Sequence, residues 1–569
     1  MSDFSFSDDQ ELLRLNAQVL SDPEVFENWD QLVRAAEAQE GGLHRNSSPG
    51  AIASTRDVYD KLLARFPLFF GYWKKYADLE FNIGGTEAAE MVYERGVACV
   101  GTSVDLWANY CGFKVDTCHD TDVIRELFER GADSVGLDFL AHPFWDKYLE
   151  FEERVESHDR LFAVLARIIP IPMHQYARYF ERYRTMAAGR PLTEIAPQEV
   201  RVRFEQEMSQ SGSSGQTVKD LEQQMRSRID GWHLEIFNHT QEETTKRWTY
   251  ESEIKRPYYH LTELDEPQLL NWMKYLDFEE EEGDYARIKF LYERCLVTTA
   301  NYEDFWLRYA RWMFAQPNKQ EEVRSILARA SCTYVPIVKT EIRLFYAQFE
   351  EAAGRPEVAA AIHEAILDKM PNHIDAIISL ANLERRQHGV ESAIFVLQKY
   401  KTDNIAGAMT SEWARLVCNV NGDVAGARTI YESNEHHHVD SINFYSSWLN
   451  FELRQAPVEL GSPYRNQRVK AVFDAIRKSS LTADEVKDLA ILYFQYLKSS
   501  AGADAMQEYL QLDAEINGSI SVAKNMKEKA REQARQKAAE QGQKLKGQNG
   551  QPIGVVDEDG ADHPYFQPH

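Results

Sequence analysis

The stretch Trp73-Lys74-Lys75-Tyr76-Ala77-Asp78-Leu79-Glu80 decides the fold. It places an indole at position i, a phenol at i+3, an apolar residue at i+6 and a carboxylate at i+7. Positions i, i+3 and i+7 lie on one face of a helix, so the phrase describes an aromatic-faced amphipathic helix. The same phrase returns as Trp145, Tyr148, Phe151, Glu152 and as Trp272, Tyr275, Phe278, Glu279. Trp107-Tyr110-Phe113 and Trp306-Tyr309-Trp312 keep the aromatic part and lose the Glu. Further on the first position degrades but the frame survives, in Tyr346-Phe349-Glu350, Leu380-Leu383-Glu384 and Tyr445-Trp448-Phe451-Glu452.

A second phrase follows the first by about twenty residues: Tyr93-Glu94-Arg95, Phe128-Glu129-Arg130 and Tyr292-Glu293-Arg294, with weaker copies at Tyr431-Glu432 and Phe473-Asp474. Trp73 and Trp107 are 34 residues apart, as are Trp272 and Trp306. Two helices and two short turns fill that period, and Gly84-Gly85, Gly283-Asp284, Gly354-Arg355-Pro356 and Gly422-Asp423 mark turns between the phrases. No strand-period segment competes. The expected fold is all-α, a solenoid of helical hairpins that bury their aromatic faces against one another. The repeated Trp, Tyr and Phe are therefore core residues. A carboxylate at the edge of such a face must be paired. The expected donors are groups of the second helix, with Arg95 serving Glu80, Arg294 serving Glu279, and Glu152 paired likewise.

Composition narrows the function. Of 569 residues, 64 are Lys or Arg and 90 are Asp or Glu, for a net charge of −26. So acidic a chain repels phosphate and is a poor sequence-independent nucleic-acid binder as a whole. Apolar residues make up 43% and aromatics 12%, enough for a core. The longest apolar run, Leu161 to Met173, is too short to span a bilayer and contains Arg167 and two prolines. The acidic start of the chain gives no support to a secretory signal. Six cysteines without a C-x₂-C pair read as buried free thiols of a reducing compartment, cytosol or nucleus. The His436-His437-His438 triplet reads as a solvated loop, not a metal site, because neighbours in sequence point apart.

Enzymatic motifs are missing: there is no phosphate-binding G-x-x-x-x-G-K-[ST], no G-x-G-x-x-G after a strand, no G-x-S-x-G and no H-E-x-x-H. No catalytic, cofactor-binding or metal-ligating residue is assigned, and no cofactor is expected. The array reads as a scaffold.

Organisation follows the pattern. Residues 1–190 form a first half. Residues 191–266 break the code and read as a linker, helical over Leu221 to His239 and flexible over the polar run Ser209 to Gln216. Residues 267–516 form a second half. Residues 517–569 are a charged tail, basic over Lys524 to Lys546 against an acidic body, and read as a solvated helix or a disordered segment. The end of the second half, with Tyr493, Phe494, Tyr496, Leu497, Tyr509 and Leu510, is too apolar for an exposed solenoid cap. Those residues are candidates for a dimer interface. The rival reading is that the helix from Ala503 to Ile516 folds back as the cap.

The code W-x₂-Y-x₃-E followed by [YF]-E-R resembles the half-a-TPR (HAT) repeat, found mainly in RNA-processing assemblies. Three passages carry the likeness: Glu253-Ile254-Lys255-Arg256-Pro257-Tyr258-Tyr259-His260, Asn271 to Glu279, and Leu291 to Leu296 with Glu303 to Ala310. It covers most of residues 20–510. The members it is most like are two-armed splicing scaffolds. The resemblance implies a non-enzymatic nuclear role in early spliceosome assembly, as a subunit or associate of the small nuclear ribonucleoprotein that recognises the 5′ splice site. It also implies protein partners from that particle, and dimerisation through the C-terminal half with a second copy or a paralogue. A HAT scaffold of mRNA 3′-end cleavage is the alternative within the class, and an RNA-binding module using the basic tail is another. Arg256-Pro257 marks an extended entry to the second half. Lys255, Arg256, Tyr258 and Tyr259 there are candidates for partner contact or for a packing plug.

Overall fold

The computed structural model describes residues 10–210, 218–455, 463–499 and 503–518. Among them are 27 α-helices and no strand. The fold is an all-α solenoid of HAT-type hairpins. The chain forms two compact units, Met1–Tyr346 and Ala347–His569.

Within the first unit the hairpins follow the 34-residue step. Helix Phe70–Gly84 carries the Trp73 phrase and helix Thr86–Cys99 the Tyr93 phrase; Val104–Thr117 and Thr121–Val135 are the next pair. The array resumes with Glu266–Glu282 and Tyr285–Thr298, then Glu303–Phe314 and Gln320–Arg329. Local chemistry sets the boundaries. Asp284 caps its helix, its Oδ1 accepting from Ala286 N at 2.9 Å and Arg287 N at 3.1 Å. Gly283, at φ 80°, ends the preceding helix in the left-handed region that glycine enters without strain. Asp120 and Asp423 cap two further second helices.

The repeated residues sit between helices. Trp73, Tyr76, Trp107, Tyr110, Trp145, Tyr148, Trp272, Tyr275, Trp306 and Tyr309 are each at most 3% exposed, and so are Glu80, Glu152 and Glu279. An aromatic of this size buries roughly 150–250 Å². At ~25 cal/mol per Å² that is about 4–6 kcal/mol of transfer free energy before side-chain ordering is charged against it.

The stretch 191–266 is helical through most of its described length, in Leu192–Ile195, Gln198–Gln210 and Val218–Glu251. The last of these is far longer than the Leu221 to His239 segment legible in sequence. Met225 and Ile229 on it join the buried core of the first unit. Of the polar run, residues 211–216 lie outside the described residues, as does the tail from 519 on.

The second unit continues with pairs such as Pro356–Lys369 with Ile374–His388 and Ala406–Asn421 with Val424–Asn434. It ends in Ile442–Arg454, Pro463–Lys478, Ala483–Ser499 and Ala503–Ile516.

Candidate functional site

The junctions between the aromatic hairpins of the first unit share one set of contacts. The aromatic of a second helix stacks flat on the Tyr of the next first helix. Tyr93 lies on Tyr110 (5.0 Å, 7° between planes), Phe128 on Tyr148 (4.6 Å, 5°) and Tyr292 on Tyr309 (4.7 Å, 16°). The Glu that follows that aromatic is then read twice by the next hairpin. Glu94 accepts from Tyr110 Oη at 2.7 Å and from Arg130 Nη1 and Nη2 at 2.9 and 2.8 Å. Glu293 accepts from Tyr309 Oη at 2.9 Å and from Arg329 at 2.9 and 2.7 Å. Glu129 accepts from Tyr148 Oη and Arg167, both at 2.6 Å. The arginine also covers the Trp of its own hairpin: Arg95 over Trp73, Arg130 over Trp107, Arg167 over Trp145, Arg294 over Trp272 and Arg329 over Trp306, at 5.3–5.8 Å from the ring centroid. The [YF]-E-R phrase is thus a relay in which one residue stacks forward, one accepts forward and one reaches back. Arg130 holds the Glu94 carboxyl below the usual carboxylate range.

The indole N–H has its own fixed partner. Trp29, Trp73, Trp107 and Trp306 each donate to the carbonyl six residues earlier, at 3.0, 2.8, 2.9 and 2.8 Å. Each bond ties the entry turn of a hairpin to its first helix.

The first-helix glutamates are paired with arginines of second helices, as expected, but not with Arg95 or Arg294. Glu80 takes Arg56 at 2.6 and 2.7 Å, Glu152 takes Arg125 at 2.7 and 3.1 Å, and Glu279 takes Arg247 at 2.7 and 3.0 Å with Arg287 at 3.2 Å. Arg95 reaches back to Asp60 at 2.9 Å, and Arg294 to Glu251 and Asp138. Arg95 and Arg294 are the wrong choice because the main partner comes from the hairpin before; only Arg287 reaches Glu279 from the second helix of its own hairpin. A carboxylate at i+7 faces the preceding hairpin, whose second helix carries Arg three residues before its stacking aromatic, as in Arg56-Tyr59, Arg125-Phe128, Arg247-Tyr250 and Arg428-Tyr431. That R-x-x-[YF] spacing was the available signal.

The candidate contact segment crosses the first unit as an extended strap between Val218–Glu251 and Glu266–Glu282. Lys255 and Tyr258 are exposed, and Arg256 is half-buried with its guanidinium on Thr262 at 2.7 and 2.8 Å. Tyr259 turns inward against Phe69, ring centroids 5.1 Å apart, and that burial pushes its phenol up.

At the end of the second unit the apolar residues are covered from within the chain. Tyr493 stacks on Phe473 at 4.4 Å and donates to Glu508 at 3.0 Å, and Phe494 meets Tyr509 edge-on at 5.3 Å. Tyr493, Phe494 and Leu497 are buried, Tyr496 and Tyr509 half-buried, and Leu510 is exposed. Helix Ala503–Ile516 therefore supplies the cap, and of the six candidate interface residues only Leu510 stands largely open.

His436 and His437 lie in a short turn, while His438 is buried and shares a hydrogen bond with Thr410 at 3.0 Å. Among the described residues no group of three or more His, Cys, Asp or Glu is placed to hold a metal ion, and no helix is long and apolar enough to cross a membrane. All six cysteines are free, but only Cys111 and Cys295 are buried; Cys99 and Cys332 are exposed, against the expectation of buried thiols.

Comparison with known proteins now bears on these arrays. A model described as the PRP39 N-terminal HAT repeat matches residues 13–185, and one described as the PRP39 C-terminal HAT repeat matches 245–386. The chain is 45% identical over 542 residues to pre-mRNA-processing factor 39 of Schizosaccharomyces pombe, covering 91% of this chain and 88% of that one. The chain belongs to the Prp39 family. It is also similar to the U1 small nuclear ribonucleoprotein component PRP42 of Saccharomyces cerevisiae, 22% identical over 56% of this chain and 60% of that protein. The crystal structure of CstF-77 superposes with a TM-score of 0.52 at 14% identity, over 78% of this chain and 88% of that one, a likeness of fold. The two Prp39 models fall on the two runs of the aromatic code, and the strap with Tyr258 lies inside the second.

Proposed function

We propose that this protein is a non-enzymatic nuclear scaffold of pre-mRNA splicing, a subunit or close associate of the U1 small nuclear ribonucleoprotein. The observation that carries the reading is the likeness to pre-mRNA-processing factor 39 along nearly the whole chain, supported by the similarity to a named U1 component. The physical arrangement suits the role. A stack of hairpins spends its aromatic residues on its own junctions and leaves a long, rigid, acidic surface for partners. At a net charge of −26 that surface favours basic protein segments over RNA, so affinity comes from several protein contacts and direct RNA contact is minor.

The chain dimerises, in this reading, through its C-terminal half, with a second copy or a paralogue. The exposed apolar residues Ile491, Met506 and Leu510 on the last two described helices supply the surface for it.

Affinity purification from nuclear extract, with proteins and RNAs identified together, tests the assignment. Recovery of U1 RNA with U1 proteins is the expected result, and its absence from an otherwise productive purification refutes it. Sedimentation at micromolar concentration tests the dimer, which a monomer throughout would refute.

A further inference from the structure

Inside the first unit, beside the strap, lies a cavity of about 270 Å³ that the junction chemistry does not use. Its walls include Phe70, Leu140, Pro143, Pro257 and Tyr258. Tyr258 is 47% exposed and Leu140 41%, large values for residues of this kind. His142 in the cavity wall lies 5.5 Å from His174, whose ring stacks 6.5 Å from that of Trp248, a tryptophan left 53% exposed. Exposed Trp and Tyr mark interaction sites more often than other exposed apolar residues do.

The polar groups of the cavity are two carboxylates, Asp105 and Asp138, beside Thr102, Ser103, His142 and Arg294. Asp138 is buried in its floor, with Oδ2 3.1 Å from Arg294 Nε and Oδ1 accepting from Leu140 N at 2.7 Å. The Arg294 guanidinium is also committed to Glu251, at 2.8 Å. One cation is thus shared by two carboxylates. Asp105, exposed in the wall, makes no ion pair among the described residues. His142 also lines the cavity, and its Nδ1 has no hydrogen-bond partner among the described residues. Lys255 and Arg256 on the strap are the nearest cations in sequence, and the Arg256 guanidinium is occupied by Thr262.

The volume admits one or two side chains and excludes a helix about 10 Å across. Walls of proline and aromatic rings suit an extended polyproline-type segment, whose flat rings pack on Tyr and Trp faces at small entropic cost. The exposed Asp105 carboxylate, without an ion pair among the described residues, suits a cationic side chain on it. We propose that this cleft docks an extended, proline-containing segment of a protein partner that carries an arginine or lysine. The proposal rests on the reading of the chain as a protein-binding scaffold and names the chemistry of one partner segment.

Titration calorimetry of the full chain with the synthetic peptide Ac-PPRPPL-NH2 tests it, with Ac-PPEPPL-NH2 as the charge control. The arginine peptide is expected to saturate one site, and the glutamate peptide to bind at least about tenfold more weakly. Tyr258→Ala and Asp105→Asn, both at exposed side chains, are each expected to weaken the arginine peptide about three- to tenfold with an unchanged circular dichroism spectrum. Tyr258→Phe retains the ring and restores most of the binding. Lack of saturable binding up to millimolar peptide, equal binding of the two peptides, or indifference to Tyr258→Ala overturns the proposal, as does displacement of the peptide by single-stranded oligouridine. The same variants are carried through the nuclear-extract purification. Wild type that retrieves U1 RNA while the peptide fails to bind defeats the cleft alone; wild type that retrieves none defeats the scaffold reading.

Discussion

Lys114 and Glu90 make the contact that Glu80 and Arg56 make, with the charges exchanged. Lys114 stands at i+7 from Trp107, where Glu80 stands from Trp73, and Glu90 stands three residues before Tyr93, where Arg56 stands before Tyr59. The Lys114–Glu90 distance is 2.7 Å, against 2.6 and 2.7 Å for Arg56–Glu80. Where both places carry charge, the junction pairs opposite signs and is indifferent to which helix supplies which; at the Trp306 hairpin the i+7 place is instead the buried Met313.

Reversing one charge of the pair should cost more than reversing both. Lys114→Glu alone sets a carboxylate against Glu90 in a half-buried site and is expected to destabilise the first unit by about 1–3 kcal/mol. Adding Glu90→Arg recreates the Arg56–Glu80 arrangement and should recover most of that loss. Urea denaturation of the two singles and the double decides it; additive losses would sink the idea of a single coupled position.

The indole N–H bonds give a second expectation. Trp73→Phe removes the bond to the Pro67 carbonyl, whereas Trp272 Nε1 is buried with no hydrogen-bond partner among the described residues. Both changes lose similar ring area. Trp73→Phe should therefore cost about 1 kcal/mol more than Trp272→Phe, the worth of one hydrogen bond in a buried turn. Equal losses would mean that the turn carbonyl finds water instead.

The helices and their buried faces were legible in sequence because one side chain in three or four repeats a shape that only a helix junction can use. What was illegible is direction. From spacing alone, a carboxylate at i+7 can face its own hairpin or the one before it, so Arg56, Arg125 and Arg247 were overlooked in favour of Arg95 and Arg294. The apolar end near Tyr493 misled for a related reason. Composition reports that a surface must be covered, and only coordinates reveal that Ala503–Ile516 covers it. Arg256-Pro257-Tyr258-Tyr259 is legible as a contact segment, but the cleft beside Tyr258 is not, because its other walls, Asp138 among them, come from far away in sequence.

Close packing behind the relay can be tested at a glycine. A Cβ on Gly131 would meet Phe144 Cε2 at 2.5 Å and Cζ at 2.8 Å, with Trp107 Cε3 at 3.2 Å. Helix propensity alone favours alanine by about 1 kcal/mol, and the collision opposes it. Gly131→Ala should destabilise by about 1–3 kcal/mol net, because two rings held on neighbouring helices cannot both retreat. Gly112→Ala, also within a helix and with nothing within 4 Å of the added carbon, should instead stabilise by up to about 1 kcal/mol. Opposite shifts in thermal midpoint are the expected outcome, and a stabilised Gly131→Ala would show that the junction is loose.

The second unit should weaken as the solution turns acidic, and one residue should account for much of it. His363 lies 3% exposed in helix Pro356–Lys369, its Nδ1 without a hydrogen bond, and burial lowers its pKa from 6.5 to about 4. Glu351 pulls the other way and Arg386 adds to the burial. A group whose folded pKa lies below its unfolded value binds its proton first in the unfolded chain. The stabilising effect of the neutral ring is therefore complete above pH 6.5 and is lost as the pH falls toward 4. At pH 5 the loss is about 2 kcal/mol. Protonation of the many carboxylates also relieves the self-repulsion of an acidic chain, so the wild-type profile alone mixes two opposing trends. His363→Leu fills the same space without titrating. The difference between wild type and variant in urea midpoint should be near zero in slope above pH 7 and should swing toward the variant by about 2 kcal/mol at pH 5. Parallel profiles across that range would mean that the ring is already reached by water or paired in the folded state.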